Sequence, residues 1–76
     1  MKILEKIISL KDTLSPKERG IAEYILTCED IIYKTITEVT EESGAGYGTF
    51  IRFCKKLGFN GFYDFKIQLA YEANPY

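Results

Sequence analysis

Four cations, Arg52, Lys55, Lys56 and Lys66, stand in residues 44–66 against a single carboxylate, Asp64. The same stretch holds Tyr47, Phe50, Phe53, Phe59, Phe62, Tyr63 and Phe65, most of the aromatic residues of the chain. Cations gathered on one element and interleaved with rings can bind a polyanion even when the average charge does not favour it. The average here does not, at a net charge of −1. Residues 1–43 carry nine Asp/Glu against six Lys/Arg, so the chain is bipolar, acidic first and basic later. Histidine is absent, which removes the commonest metal ligand and the commonest acid–base group. There is no phosphate loop and no glycine-rich fingerprint after a strand. An enzyme is therefore disfavoured, no cofactor is expected, and Glu38, Glu41 and Glu42 read as the solvated face of a short helix.

These cations must be positioned by a chain of 76 residues, 46% of them hydrophobic, which is one domain with one core. Cys28 and Cys54 lie 26 positions apart with no CxxC spacing, each within an apolar periodic segment. They are expected to be two buried, reduced thiols rather than a metal site or a disulfide framework. Glu5 and Lys6 interrupt any signal-peptide core, and no apolar run approaches the roughly 18 residues of a membrane span. The expectation is a soluble, cytoplasmic domain with no membrane partner.

Apolar spacing is helical throughout. Ile3, Leu4, Ile7 and Ile8 mark a first helix ending near Lys11, with a short break at Asp12 and Thr13. Ser15-Pro16-Lys17-Glu18 is a capping box with proline at the first helical position, and Leu14 is placed as its hydrophobic staple. Ile21, Ala22, Ile25 and Leu26 continue that helix. Residues 29–34 either end it or form a short helix of their own. Thr35-Ile36-Thr37-Glu38 is a second capping box, so a helix should run from Ile36 to Ser43 with Gly44 as its left-handed stop. Tyr47 to Leu57 follows after Ala45 and Gly46, with Phe50, Phe53, Cys54 and Leu57 as its stripe and Gly58 as its stop. A last helix spans about Phe62 to Ala73, and Asn74-Pro75-Tyr76 looks like a domain boundary. The fold class is all-α, a small bundle of five helices.

Two short helices joined at Gly44 make a helix-turn-helix pattern. With Phe50 at 0° and 100° per residue, the buried stripe of the second helix centres near 350°. Gly48, Arg52 and Lys55 then lie at roughly 160°, 200° and 140°, on the free face. Thr49, Ile51 and Lys56 flank them, and no acidic residue stands on the helix. Tyr47 lies nearer the buried side but can swing out from the first turn. A solvated basic face is the ordinary fate of such residues. An αα-hairpin gives no reason, however, to gather every charge of its second helix at one sign.

Ser15-Pro-Lys-Glu-Arg, Ile36 to Gly44 and, above all, Ile51-Arg-Phe-Cys-Lys-Lys-Leu-Gly-Phe-Asn-Gly-Phe-Tyr-Asp-Phe-Lys resemble the N-terminal domain of RpiR-type bacterial transcription regulators. The resemblance covers nearly the whole chain. It implies a helix-turn-helix DNA-binding domain over residues 1–76. It also implies a C-terminal sugar-isomerase-type domain, absent from this chain, that senses a phosphorylated sugar. Gly46 stands where the family usually has a capping serine, Gly48 where alanine is usual, and Thr40 where a small apolar residue is usual.

The expected function is sequence-specific binding of double-stranded DNA with residues 47–57 in the major groove. Arg52 is expected to read guanine, since its fork matches O6 and N7. Tyr47 and Thr49, near the start of the same helix, are expected next to meet base or phosphate, with Gly48 on the same DNA-facing surface. Lys55, Lys56 and Lys66 are expected to meet phosphates, and Thr35 to meet one through exposed amides. The alternative is a helical interaction or dimerisation module without DNA readout. Phe62, Phe65 and Leu69 form one stripe of the last helix and Tyr63, Ile67 and Ala70 another, so that helix needs two partners. One partner is the core and the other a twin subunit or the absent effector domain; a homodimer is expected.

Overall fold

The structure, a computed structural model, describes residues 2–73. Its α-helices are α1 (Lys2–Leu10), α2 (Pro16–Thr27), α3 (Ile36–Ser43), α4 (Tyr47–Lys56) and α5 (Phe62–Ala73). Two single 3₁₀ turns complete the chain, Lys11–Thr13 and Ile31–Tyr33. The first lies where a break was expected after Lys11. The second answers the open question at residues 29–34: α2 ends at Thr27, and a separate turn follows. Each is three residues long, too short for a hydrophobic period to show.

Both capping boxes form. The Ser15 hydroxyl accepts from the Glu18 amide at 3.3 Å, and the Glu18 carboxylate accepts from the Ser15 amide at 3.0 Å. Thr35 and Glu38 repeat the arrangement at 3.1 and 2.9 Å. At the other end of α3, Gly44 has φ +75°, a left-handed stop that a β-carbon would strain. Gly58, at φ +102°, turns the chain after α4 in the same way.

One core serves all five helices. Ile3 and Ile7 of α1, Ile21, Ala22 and Ile25 of α2, and Val39 of α3 are buried with Phe50, Phe53 and Cys54 of α4 and Phe62, Phe65 and Leu69 of α5. Phe50 is its hub: Tyr24 meets that ring edge-on at 6.5 Å and Phe62 at 5.6 Å. No polar or charged residue is buried among the described residues. Cys54 is buried as expected, and burial pushes its thiol up to about 12. Cys28 departs from expectation. It stands just past the end of α2, half-buried, with its thiol 3.7 Å from the Tyr24 hydroxyl.

A second set of ties surrounds Lys34. Its ammonium donates to Glu42 of α3 at 3.0 Å, and Glu42 also accepts from the Tyr24 hydroxyl of α2 at 2.8 Å. Its carbonyl accepts from the Lys66 ammonium of α5 at 2.8 Å. The Tyr24 hydroxyl, first, and then Lys34 hold the Glu42 carboxyl below the usual carboxylate range. Glu42 in turn raises Lys34.

Candidate nucleic-acid interface

Helix α4 is fixed from below and at its far end. Phe50, Phe53, Cys54 and Leu57 are buried, as the rotation of the helix requires. The Lys6 ammonium of α1 donates to the Leu57 carbonyl at 2.9 Å, placing a cation at the negative end of the helix dipole. Lys56 pairs with Glu18 of α2 at 3.2 Å. The near end is bare. Gly46 is the cap residue and offers no side chain, so the amides of Tyr47, Gly48 and Thr49 have no partner among the described residues.

The outward face is the expected one. Gly48, Arg52 and Lys55 are exposed, and Tyr47 does swing out, at 64% exposure. The Arg52 guanidinium folds back along the helix and donates to the Thr49 hydroxyl at 3.3 Å. A β-carbon on Gly48 would sit 3.6 Å from its Nη1, an ordinary contact. Lys55 has no partner among the described residues. A basic face with no carboxylate opposite it, on a helix held rigidly elsewhere, can accept a polyanion at the cost of one exposed bond, Arg52 to Thr49.

The two flanks of α4 differ. On one side Tyr47, Ile51 and Lys55 line a mainly apolar groove of about 620 Å³, closed by Thr35 at the start of α3 and by Tyr63 and Lys66 on α5. On the other side Thr49 and Arg52 share a small polar cleft with Ser15, Lys17 and Glu18. Tyr63 and Lys17, neither of them among the expected DNA contacts, line these two flanks. They lie outside residues 47–57, and only tertiary packing brings them to α4.

Three of the expected phosphate contacts are already engaged. The Thr35 amide is spent on Glu38 and the hydroxyl oxygen accepts from the Glu38 amide, leaving the hydroxyl hydrogen and the amides of Ile36 and Thr37 as the open donors there. Lys56 is held by Glu18, whose carboxyl lies below its usual range because the Ser15 amide donates to it and, after that, because Lys56 is near. Lys66 reaches the Lys34 carbonyl and lies 4.9 Å from the centre of the Phe62 ring. No group of three or more His, Cys, Asp or Glu that could hold a metal exists among the described residues. No described helix is long and apolar enough to cross a membrane.

Known proteins share this arrangement. The family model for the helix-turn-helix domain of the rpiR family matches residues 1–75. An uncharacterised HTH-type transcriptional regulator of Clostridium perfringens is 48% identical over 75 residues, 97% of this chain and 27% of that protein. The bifunctional protein glk of Burkholderia pseudomallei is 36% identical over 69 residues, 11% of its length. The chain therefore spans about a quarter or less of the curated relatives it matches. Among solved structures, the Vibrio vulnificus NanR protein complexed with ManNAc-6P superposes with a TM-score of 0.87 at 31% identity, over 92% of this chain and 27% of that one. The N-terminal domain of the Bacillus subtilis regulator ybbH superposes with a TM-score of 0.84 at 37% identity, over 96% and 92%. With a capped α3, a glycine turn and a free basic face on α4, the chain belongs to the rpiR family of helix-turn-helix domains, a DNA-binding domain of a transcription regulator.

Proposed function

We propose that this domain reads operator DNA with α4 in the major groove, two copies to a site, in a cytoplasmic bacterial regulator of sugar or sugar-phosphate metabolism. The free Gly48-Arg52-Lys55 face carries the proposal. Arg52 leaves Thr49 and takes guanine O6 and N7, while Tyr47, Gly48 and Thr49 meet bases or phosphate at the uncapped start of the helix. Lys55 neutralises a phosphate directly, whereas Lys56 must first leave Glu18. Lys66 can reach a phosphate while bonded to Lys34, because an ammonium has three donors. Near Thr35, the open amides of Ile36 and Thr37 serve the same purpose. The sugar link is supported by NanR, whose structure holds ManNAc-6P. A phosphorylated sugar would bind a C-terminal effector domain on the longer chain.

Titration of a labelled duplex, selected from a random pool, at several salt concentrations tests this. With Lys55 alone on phosphate, two copies neutralise two phosphates and log affinity falls against log salt with a slope of about −2. With Lys56 and Lys66 added the slope approaches about −5. A slope near zero overturns DNA binding and favours the interaction-module alternative, for which the exposed outer face of α5 is the supporting observation.

A further inference from the structure

We infer that the groove between α4 and the start of α5 seats the sugar–phosphate backbone of one DNA strand, with the Tyr63 hydroxyl donating to a phosphate that Lys55 and Lys66 neutralise. This rests on the proposal that α4 lies in the major groove, and it gives α5 a direct part in holding DNA.

The width of the major groove leads there. An α-helix with its side chains is about 10–12 Å across and the major groove is about 12 Å wide, so both flanks of the helix meet backbone. An opening along one flank of α4 therefore faces one strand. On the α5 side that opening is the groove of about 620 Å³. Its walls suit both parts of a backbone. Ile51 and the rings of Tyr47 and Tyr63 offer apolar surface on which deoxyribose can pack. Lys55 and Lys66 offer two charges for phosphate. Asp64, the carboxylate on this wall, is occupied by the Asn60 amide at 3.0 Å.

Three polar groups are ready for the contact. Lys55 is exposed and unpaired among the described residues. Lys66 is held by the Lys34 carbonyl at 2.8 Å and lies 4.9 Å from the centre of the Phe62 ring. Its position is thus set before a phosphate arrives, and an ammonium has further donors to give. Tyr63 is 74% exposed in the first turn of α5, and its hydroxyl has no partner among the described residues. A tyrosine has few torsions to fix, so aiming its hydroxyl costs little entropy. Ile67 and Tyr71 continue the line of Tyr63 along α5, but they stand about 6 and 12 Å farther on and do not line the groove.

Neutral methylphosphonate linkages test this. They replace phosphates of the selected duplex one position at a time, at matching places in both half-sites, on each strand in turn. Tyr63→Phe removes one exposed oxygen and should leave the melt unchanged. It should weaken binding by about 10-fold per copy, as the loss of a hydrogen bond to a charged group does. The loss should be the same on every sequence, because a phosphate carries no base identity. On the duplex neutral at the seated phosphate, Tyr63→Phe should cost nothing further. Lys55→Gln should lose its effect at that linkage or at the next one on the same strand. Tyr71→Phe is the control and should bind like the unaltered chain. The inference is overturned if Tyr63→Phe is harmless, if its loss persists at every neutral linkage, if Tyr63 and Lys55 couple to opposite strands, or if Tyr71→Phe loses as much. In each of those cases DNA binding itself stands. A chain that binds no duplex overturns both readings, which keeps the two failures apart.

Discussion

Helix α3 starts inside a ring of its own hydrogen bonds, while α4, three residues after α3 ends, starts on a bare glycine. Thr35 and Glu38 satisfy each other's amides, and the Glu38 carboxylate stands over the entrance of α3. At α4 the amides of Tyr47, Gly48 and Thr49 stay open, with no carboxylate on the helix. Glycine at the cap forgoes only a few tenths of a kcal/mol. Gly48 inside the first turn forgoes up to about 1 kcal/mol more. Lys6, Lys56 and the aromatic core offset this from the other end. The supporting helix is thus closed at its start. The reading helix is anchored at its end and left open where an anion can meet it.

The largest effect that could break this contrast is in binding. Arg52→Ala should lose about 1–3 kcal/mol on the selected duplex and flatten discrimination among sequences. Its melting temperature should barely change, because the side chain is exposed and its one bond, to Thr49, stays on the surface. An unfolded Arg52→Ala would make that residue structural. Next comes Thr35→Ala, which opens the ring at α3 and should cost about 1 kcal/mol, or roughly 4–8 °C of melting temperature in a domain this small. An unchanged melt would remove the distinction between the two helix starts.

Gly48→Ala sharpens the contrast. Its β-carbon finds ordinary contact, so stability should rise by up to about 1 kcal/mol. Affinity for DNA should fall if the bare backbone is what approaches the groove, and melts and titrations on the same variant report the two signs separately. Affinity that rises with stability would mean that the bare position serves nothing. The smallest effect is that of Gly46→Ser, which adds the cap that α3 already has. It should gain a few tenths of a kcal/mol, seen as a melting rise of a degree or two.

The elements and the free face were legible because they follow local rules. Apolar spacing marks all five helices, Ser15/Glu18 and Thr35/Glu38 mark two starts, and Gly44 and Gly58 mark two stops. The rotation of α4 needs only its own stripe. What the sequence concealed are bonds between distant residues. Lys56 meets Glu18 across 38 positions, Lys66 meets Lys34 across 32, and Lys6 meets Leu57 across 51. No local pattern distinguishes a lysine that will be tied from one, like Lys55, that will stay free. The half-buried Cys28 escaped for a similar reason. Its apolar neighbours promised burial, but α2 ends one residue before it.

The ties around Lys34 join α2 and α3 through one exposed carboxylate, Glu42, and reach α5 through the Lys34 carbonyl, which makes Glu42 the main key of a latch that Asp30 backs from 3.9 Å. Because the folded Glu42 carboxyl lies below its ordinary range, its contribution is complete above that range and is lost as pH falls through the lowered value. Its protonation weakens the hold on Tyr24 and on Lys34 in one event, and with Lys34 loosened the seat of Lys66 is loosened too. Acid should therefore slacken the scaffold that joins α2, α3 and α5, including the seat of Lys66 beside the reading helix.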